Sequence, residues 1–404
     1  MGNPSGAKVL ALLRKRYPSA FLTESRTEYT SHHYNVSHSV IIDVNIDIRH
    51  KPPDIVSGQG LVNWFYRTRV WPYYRDGKRL VLVFDSGRDT PLTKRATHKK
   101  YRPVARAQGP DGPLFASEKA LPKKWMKCIA SGYMRLALFE FLLIHIQHKL
   151  SGDYKGVVYA HLPSSDVSHY DTEFLSGNVV ELTSTGANHP PATTHGEGDL
   201  RCRVWSDHLA HETRPTVVRA FDYDMLAVYL ARELSGRVML HIRNPSSRTA
   251  EFINIPRLHE LLKKDSISRV RLTAALVACG SDYFEGVSGI GGDRIVHTIL
   301  TSPDEGVASV WPITDSILTR AAAKGKSYVA VSSAARLRAE WNMLYLSSEL
   351  HPPAYNHGWR RHGKWLRPRE MTGEKRKRKE ASSEHTSNTN SPQQHKQNRP
   401  RIKR

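Results

Sequence analysis

The sequence predicts an α/β fold, a mostly parallel twisted sheet flanked by helices on both faces. Three observations predict it. Short, β-branched apolar runs alternate along the chain with segments of helical period. Several of those runs are apolar on both faces, as central strands are when helices cover a sheet from both sides. Acidic residues collect where the runs end, the edge at which open parallel sheets gather ligand chemistry.

In chain order, the predicted strands are SVIIDVNI (39–46), RLVLVFDS (79–86), YKGVVYAHL (154–162), NVVELTS (178–184), TVVRAFD (216–222) and RVMLHIR (237–243). Each is short, apolar and bounded by polar or turn-forming residues. Helical period marks VLALLRKRY (9–17), the long CIASGYMRLALFEFLLIHIQHKL (128–150), DLRCRVWSDHLA (199–210), DMLAVYLAREL (224–234), IPRLHELLKKD (255–265) and VRLTAALVACG (270–280). The stretch 103–127 is polar, contains glycine and proline and ends in basic residues; it reads as a surface loop or a cover over a site. The aromatics Trp64, Phe65, Tyr66, Trp71, Tyr73 and Tyr74 are expected in the core. His32, His33 and His38 read as loop, because no acid-rich spacing there supports zinc.

At 404 residues and 39% hydrophobic content the chain can bury a full core in one large domain or two modest ones. The expected organisation is an α/β core over 1–265, a helical region over 266–355 and a disordered basic tail over 356–404. From Arg360 to the end, 15 Lys/Arg face 4 Asp/Glu, which is half of the formal charge of +22. A surplus that large favours a polyanionic partner, nucleic acid before membrane. KRKRK (375–379) and RPRIKR predict nuclear import, with the cytoplasm as the other compartment. Cys128, Cys202 and Cys279 are far apart and form no C-x-x-C, so neither a disulfide framework nor a cysteine-rich zinc site is indicated. The start MGNPSGAK lacks an apolar signal-peptide core, and no apolar run reaches about 18 residues, so a soluble protein without a membrane partner is expected.

The acids carry the chemical argument. Asp43 and Asp85 fall near the ends of predicted strands, Glu197 and Asp199 at a helix entry, Asp222 and Asp224 where a strand turns into a helix, and Asp282 after the apolar helix 270–280. Taken singly, each is more often a helix N-cap or a turn residue than a metal ligand. Gathered in one crevice, they would repel one another unless divalent cations neutralised them, and oxygen-only ligands suit Mg²⁺ or Mn²⁺. Two such ions can activate a water and stabilise the leaving oxygen of a phosphodiester.

The order of these motifs resembles the metal-dependent 5′-nucleases, which include the flap endonucleases of the XPG/Rad2 group and the Xrn-type 5′→3′ exoribonucleases. MGNPSGAKVLALLRKRYPSAF looks like the Xrn-type start, and DVN (43–45) is similar to its first motif. KRLVLVFDSGRDTPLTKRATHKKYR (78–102) resembles the second motif of both families. KCIASGYM (127–134) and HGEGDLRCRVW look Xrn-like, with Asp199 in place of a second glutamate, and FDYDMLAV matches a motif of both. CGSDYFEGVSGIGGDRIVHTIL (279–300) looks more like a flap endonuclease. The first motif lacks its usual glycine, and the chain is shorter than the usual Xrn core.

The resemblance implies a PIN/5′-nuclease-like sheet with a helix-hairpin-helix region. It implies that Asp43, Asp85, Glu197, Asp199, Asp222, Asp224 and Asp282 hold two Mg²⁺ or Mn²⁺. Lys94 would touch the reacting phosphate, and Arg95, Lys99, Lys100 and Arg102 would complete a 5′-phosphate pocket. Gly289, Ile290 and Gly291 would grip duplex phosphates with a K⁺ ion. His50 stands seven residues after Asp43 where the Xrn pattern has its histidine six after, so a substrate contact there is the minority reading. The expected activity is 5′→3′ hydrolysis of 5′-phosphorylated single strands, RNA preferred. A DNA flap endonuclease or 5′ exonuclease, and a nucleic-acid-binding factor without turnover, are the alternatives. A chain of such mixed character would suit a viral genome.

Overall fold

The computed structural model describes residues 4–25, 32–49, 51–85, 115–130, 132–150, 156–161, 179–183, 198–220, 223–231, 233–234, 236–242, 249–280 and 292–301, with single positions between 314 and 324 and the strands at 359–362 and 365–368. Residues 1–353 form one compact unit and 354–404 a second.

The first unit is organised by an eight-stranded sheet: β1 (Phe21–Ser25), β2 (Ser39–Asp43), β3 (Arg79–Val83), β4 (Val157–His161), β5 (Val179–Glu181), β6 (Thr216–Arg219), β7 (Val238–Ile242) and β8 (Thr249–Asn254), in the order β1-β8-β7-β6-β2-β3-β4-β5. The middle strands β7, β6, β2, β3 and β4 run parallel, while β8 and β1 on one side and β5 on the other pair antiparallel. All five residues of β2 are buried, as a central strand covered on both faces requires.

Period-2 alternation divides the core into two layers. Ile41, Val81, Val83 and Val218 point to the layer containing the N-terminal helix Pro4–Arg16 and the helices Gly198–His208, Asp224–Ala231, Ile255–Lys264, Arg269–Ala278 and Gly292–Thr301. Val40, Ile42, Leu80, Leu82 and Val217 point to the layer containing Gly58–Phe65 and Gly132–Lys149. No helix among the described residues is long and apolar enough to cross a membrane.

All six expected strands and all six expected helices are present, with shifted ends. The helix expected from residue 9 begins at Pro4, and at 39–46 the strand stops at Asp43 and the helix Val44–Arg49 begins at once. Asp43 causes the switch: its Oδ1 accepts from the Asn45 N–H at 3.0 Å, satisfying a free amide of the helix's first turn. The expected helix 128–150 is divided into Trp125–Ala130 and Gly132–Lys149.

Several elements were not foreseen. β1 and β8 pair with each other at a sheet edge, and their sequences FLTES and TAEFIN mix polar with apolar residues because one face is partly wet. Gly58–Phe65 is capped by Ser57, which accepts from the Gly60 N–H, and continues through a π-helical turn into Trp71–Arg75. His32 and His33 open a short helix rather than a loop, with His33 Nε2 3.2 Å from Glu24 and its ring against Phe252. Phe65, Tyr73 and Tyr74 are buried, and Trp64, Tyr66 and Trp71 pack against them, as expected of a core aromatic group. The three cysteines are buried and form no disulfide.

In the second unit, the segment expected to be a disordered tail contains a short antiparallel pair, Trp359–His362 with Trp365–Pro368. The two tryptophans supply the β propensity that the surrounding basic sequence lacks.

Candidate functional site

Strand alternation determines where the first acids point. Asp43 follows Ile42 and Asp85 follows Phe84, so both leave the sheet on the face of Ile41 and Val83, toward the helix Gly198–His208. β2 and β3 are parallel neighbours with Asp43 opposite Val83, which brings the two acids to the same edge. Asp199, in the first turn of that helix, completes the group, and Gly198 eases the approach. A Cβ at position 198 would lie 3.1 Å from the Asp85 Cβ, so a side chain there would require Asp85 to give by a few tenths of an ångström.

The three carboxylates share a field. Burial, then Asp199, then Asp85 push the Asp43 carboxyl up to about 8; Arg49 and the Asn45 amide pull it down without restoring the usual carboxylate range. The Cys202 thiol beneath them is likewise held well above its usual range, by burial first and then by Asp43 and Asp199. It stays protonated and is no nucleophile.

The backbone under the acids is held from three directions. Asn45 Nδ2 donates to the Asp85 carbonyl at 2.6 Å, and Arg135 Nη1 donates to the same oxygen at 3.3 Å. Arg201, fully buried, donates from Nη2 to the Phe84 carbonyl at 2.7 Å. The end of β3 is therefore fixed by one residue of the β2 exit, one of the Gly132–Lys149 helix and one of the Asp199 helix. Asn45, Arg135 and Arg201 carry no metal-binding signal, and sequence reasoning passed over the two arginines. The sequence hint was an arginine on each of two expected helices, Arg201 two residues after Asp199 and Arg135 near the start of the long helix.

Asp224 is buried at the start of the helix that follows β6, the strand beside β2. Glu197, Asp222 and Asp282 lie outside the described residues, as do Lys94, Arg95, Lys99, Lys100, Arg102, His50, Gly289, Ile290 and Gly291. The elements on either side of 281–291 are described: Cys279 Sγ donates to the Gly292 carbonyl at 2.9 Å, joining the end of one helix to the start of the next. Gly280, at φ 100°, turns the chain out of the first helix in a conformation that side chains resist.

Among the described residues no three acidic, histidine or cysteine side chains converge closely enough to hold a metal ion. Asp43, Asp85 and Asp199 are brought toward one another at this edge, and at Asp43 the repulsion from the other two is offset only in part by Arg49 and the Asn45 amide.

No family model and no curated protein matches this chain. Similar solved structures include two of the catalytic core of Rad2 in complex with DNA substrate, both 14% identical in sequence, with TM-scores of 0.34 and 0.33. They cover 70% of this chain, which in turn spans 66% and 67% of theirs, about two thirds of their length.

Proposed function

We propose that this chain is a divalent-cation-dependent nuclease that hydrolyses phosphodiester bonds at or near the 5′ ends of nucleic acid. The observation that carries the reading is the gathering of Asp43, Asp85 and Asp199 at the carboxyl edge of neighbouring parallel strands. Buried carboxylates that raise one another's pKa destabilise the fold, and a bound cation turns that repulsion into affinity.

In this reading Asp43, Asp85 and Asp199 hold the ions together with Glu197, Asp222, Asp224 and Asp282. When bound, Mg²⁺ or Mn²⁺ supplies water activation and neutralises charge on the leaving oxygen. Asn45, Arg135 and Arg201 keep the β2 and β3 exits in register, so the carboxylates do not relax apart when unoccupied. Lys94, Arg95, Lys99, Lys100 and Arg102 receive the terminal phosphate. The substrate in this reading is a 5′-phosphorylated single strand, RNA preferred, and the basic tail directs the protein to the nucleus.

The helices joined by Cys279 and Gly292 favour a second reading, a DNA flap endonuclease whose Gly289–Gly291 turn holds K⁺ and duplex phosphates. The test incubates purified protein with Mg²⁺ or Mn²⁺ and end-labelled substrates: 5′-phosphorylated RNA, its 5′-hydroxyl form, single-stranded DNA and a 5′-flap duplex. Asp199→Asn serves as the inactive control. Loss of 5′-phosphorylated RNA into mononucleotides is expected. K⁺-dependent cutting at the flap junction would replace that substrate with DNA. Binding without metal-dependent cleavage of any substrate would overturn the nuclease reading in favour of a binding factor.

A further inference from the structure

On the layer of the core opposite the Gly198–His208 helix, two chain segments far apart in sequence are locked into one platform. The Trp125 indole N–H donates to the Ile48 carbonyl at 2.8 Å, pinning the start of the Trp125–Ala130 helix to the helix that leaves β2. The Leu121 amide donates to the Val56 carbonyl at 2.7 Å, the Gly58 amide to the Lys119 carbonyl at 3.0 Å, and the Gln59 amide to the Ser117 carbonyl at 3.0 Å. The Lys51 ammonium sits 5.4 Å from the Trp125 ring centroid and donates to the Ile55 carbonyl at 2.8 Å. These contacts make the surface a fixed one.

Its charge is one-sided. Residues 49–58 and 115–127 carry Arg49, Lys51, Lys119, Lys123, Lys124 and Lys127 against only Asp54 and Glu118. Among the described residues, Arg49, Lys123, Lys124 and Lys127 are exposed and form no ion pair. The patch is tied to the acidic strand end by the helix Val44–Arg49, which starts directly after Asp43 and ends at Arg49, and Arg49 lowers the Asp43 carboxyl's pKa. It is also interleaved with apolar surface. Val56 at 66% and Met126 at 57% are the two most exposed large hydrophobic side chains among the described residues, and both stand on this platform.

We propose that this platform binds the substrate strand as it leaves the acidic site. Lys123, Lys124, Lys127 and Arg49 receive its phosphates, and Val56 and Met126 receive unpaired bases. The inference deepens the nuclease reading and rests on it: it assigns a single strand rather than a duplex. Cations alone would serve either form, since both present phosphates. Exposed apolar side chains between the cations favour the form whose base faces are free, because an apolar contact needs an unstacked base and a duplex keeps its bases stacked. An anionic membrane would also attract lysines, but it would leave the link from Arg49 to the acidic site without a role.

The test measures binding of the full chain in EDTA, so that no cleavage intervenes, by fluorescence anisotropy over a range of salt. The probes are a 5′-phosphorylated single-stranded oligonucleotide, a blunt duplex of the same sequence, and vesicles rich in phosphatidylserine. Lys123→Ala/Lys124→Ala/Lys127→Ala is compared with Lys15→Ala/Lys263→Ala/Lys264→Ala, which removes the same charge from exposed positions elsewhere, and both are checked by melting temperature. The platform variant is expected to lose about 10-fold or more in single-strand affinity and about 2 in the slope of log K against log salt, the control variant much less. Met126→Ser is expected to weaken single-strand binding and leave duplex binding unchanged.

Equal losses in the two triple variants would overturn the platform. So would equal use of it by duplex and single strand, or vesicle binding that depends on it while oligonucleotide binding does not. The outcome is separable from the nuclease reading. Platform-dependent binding without cleavage overturns the nuclease alone, and cleavage with platform-independent binding overturns the platform alone.

Discussion

Asp43 and Asp47 stand one helical turn apart in the sequence, are both buried, and experience opposite chemistry. Asp43 faces other carboxylates and its pKa rises to about 8. Asp47, toward the opposite layer of the core, is caught between two guanidiniums: Arg219 Nε lies 3.0 Å from Oδ2 and Arg69 Nε 3.0 Å from Oδ1. Burial pushes the Asp47 carboxyl up, but Arg219 and Arg69 more than offset it and hold it below the usual range. Tyr34 and Tyr73 surround this pair, and the Tyr34 hydroxyl meets His241 Nδ1 at 2.7 Å. Burial sets the cost of a charge, and the partners decide whether the protein or a ligand offsets it. At Asp47 the protein does, and the result is structure. At Asp43 the neighbours are themselves carboxylates, and Arg49 with the Asn45 amide offsets them only in part.

Removing the compensated charge should have the largest effect. Asp47→Asn leaves two buried guanidiniums facing a neutral group, and the expected loss is about 3–5 kcal/mol of unfolding free energy, read by urea titration. A loss under about 1 kcal/mol would mean that the pair is solvated and that the contrast with Asp43 does not hold.

Asp43→Asn should act in the opposite direction. A carboxyl whose folded pKa is raised contributes stability below its unfolded pKa near 4 and loses it as pH rises through the folded value of about 8. The metal-free wild type should therefore weaken between about pH 4 and pH 8, and Asp43→Asn should flatten that fall, gaining on the order of 2–4 kcal/mol at pH 8. Adding Mn²⁺ at about 100 times its dissociation constant should raise wild-type stability by about 2.7 kcal/mol and that of Asp43→Asn much less. Thermal melts at several pH values, with and without metal, decide both points; a variant as pH-sensitive as the wild type would remove Asp43 as the cause.

Smaller perturbations sharpen the picture. Gly198→Ala pushes a methyl toward Asp85, so a loss of about 1 kcal/mol in stability is expected, with cleavage falling about tenfold as the acids spread. Unchanged cleavage would show that the close approach of Gly198 does not control the acid geometry. Cys202→Ala should leave cleavage within about twofold, because a thiol held protonated takes no part in it. A large loss in that variant would point to a role for Cys202 that its burial does not predict.

The central strands were legible because a buried parallel strand is an uninterrupted apolar run, and Ser39–Asp43 or Arg79–Val83 can hardly be anything else. The acidic site was legible in part for the same reason: once the strand ends are known, Asp43 and Asp85 must share an edge. The edge pair Phe21–Ser25 and Thr249–Asn254 was not, since polar residues break its run and its partners are more than 200 residues apart. Nor was the helix after Asp43, where a side-chain cap overrides a stretch that still reads as strand.

The sequence by itself determined the alternation of strand and helix, the basic surplus and the placing of acids at strand ends. These are matters of local period and composition, which the geometry of the backbone translates directly into faces and edges. Only the tertiary structure decided which buried acid is compensated. Arg219 reaches Asp47 across 172 residues of chain, whereas Asp43 receives Asp85 and Asp199. The charge state of a buried group depends on the field of its neighbours within a few ångströms, and folding alone selects those neighbours.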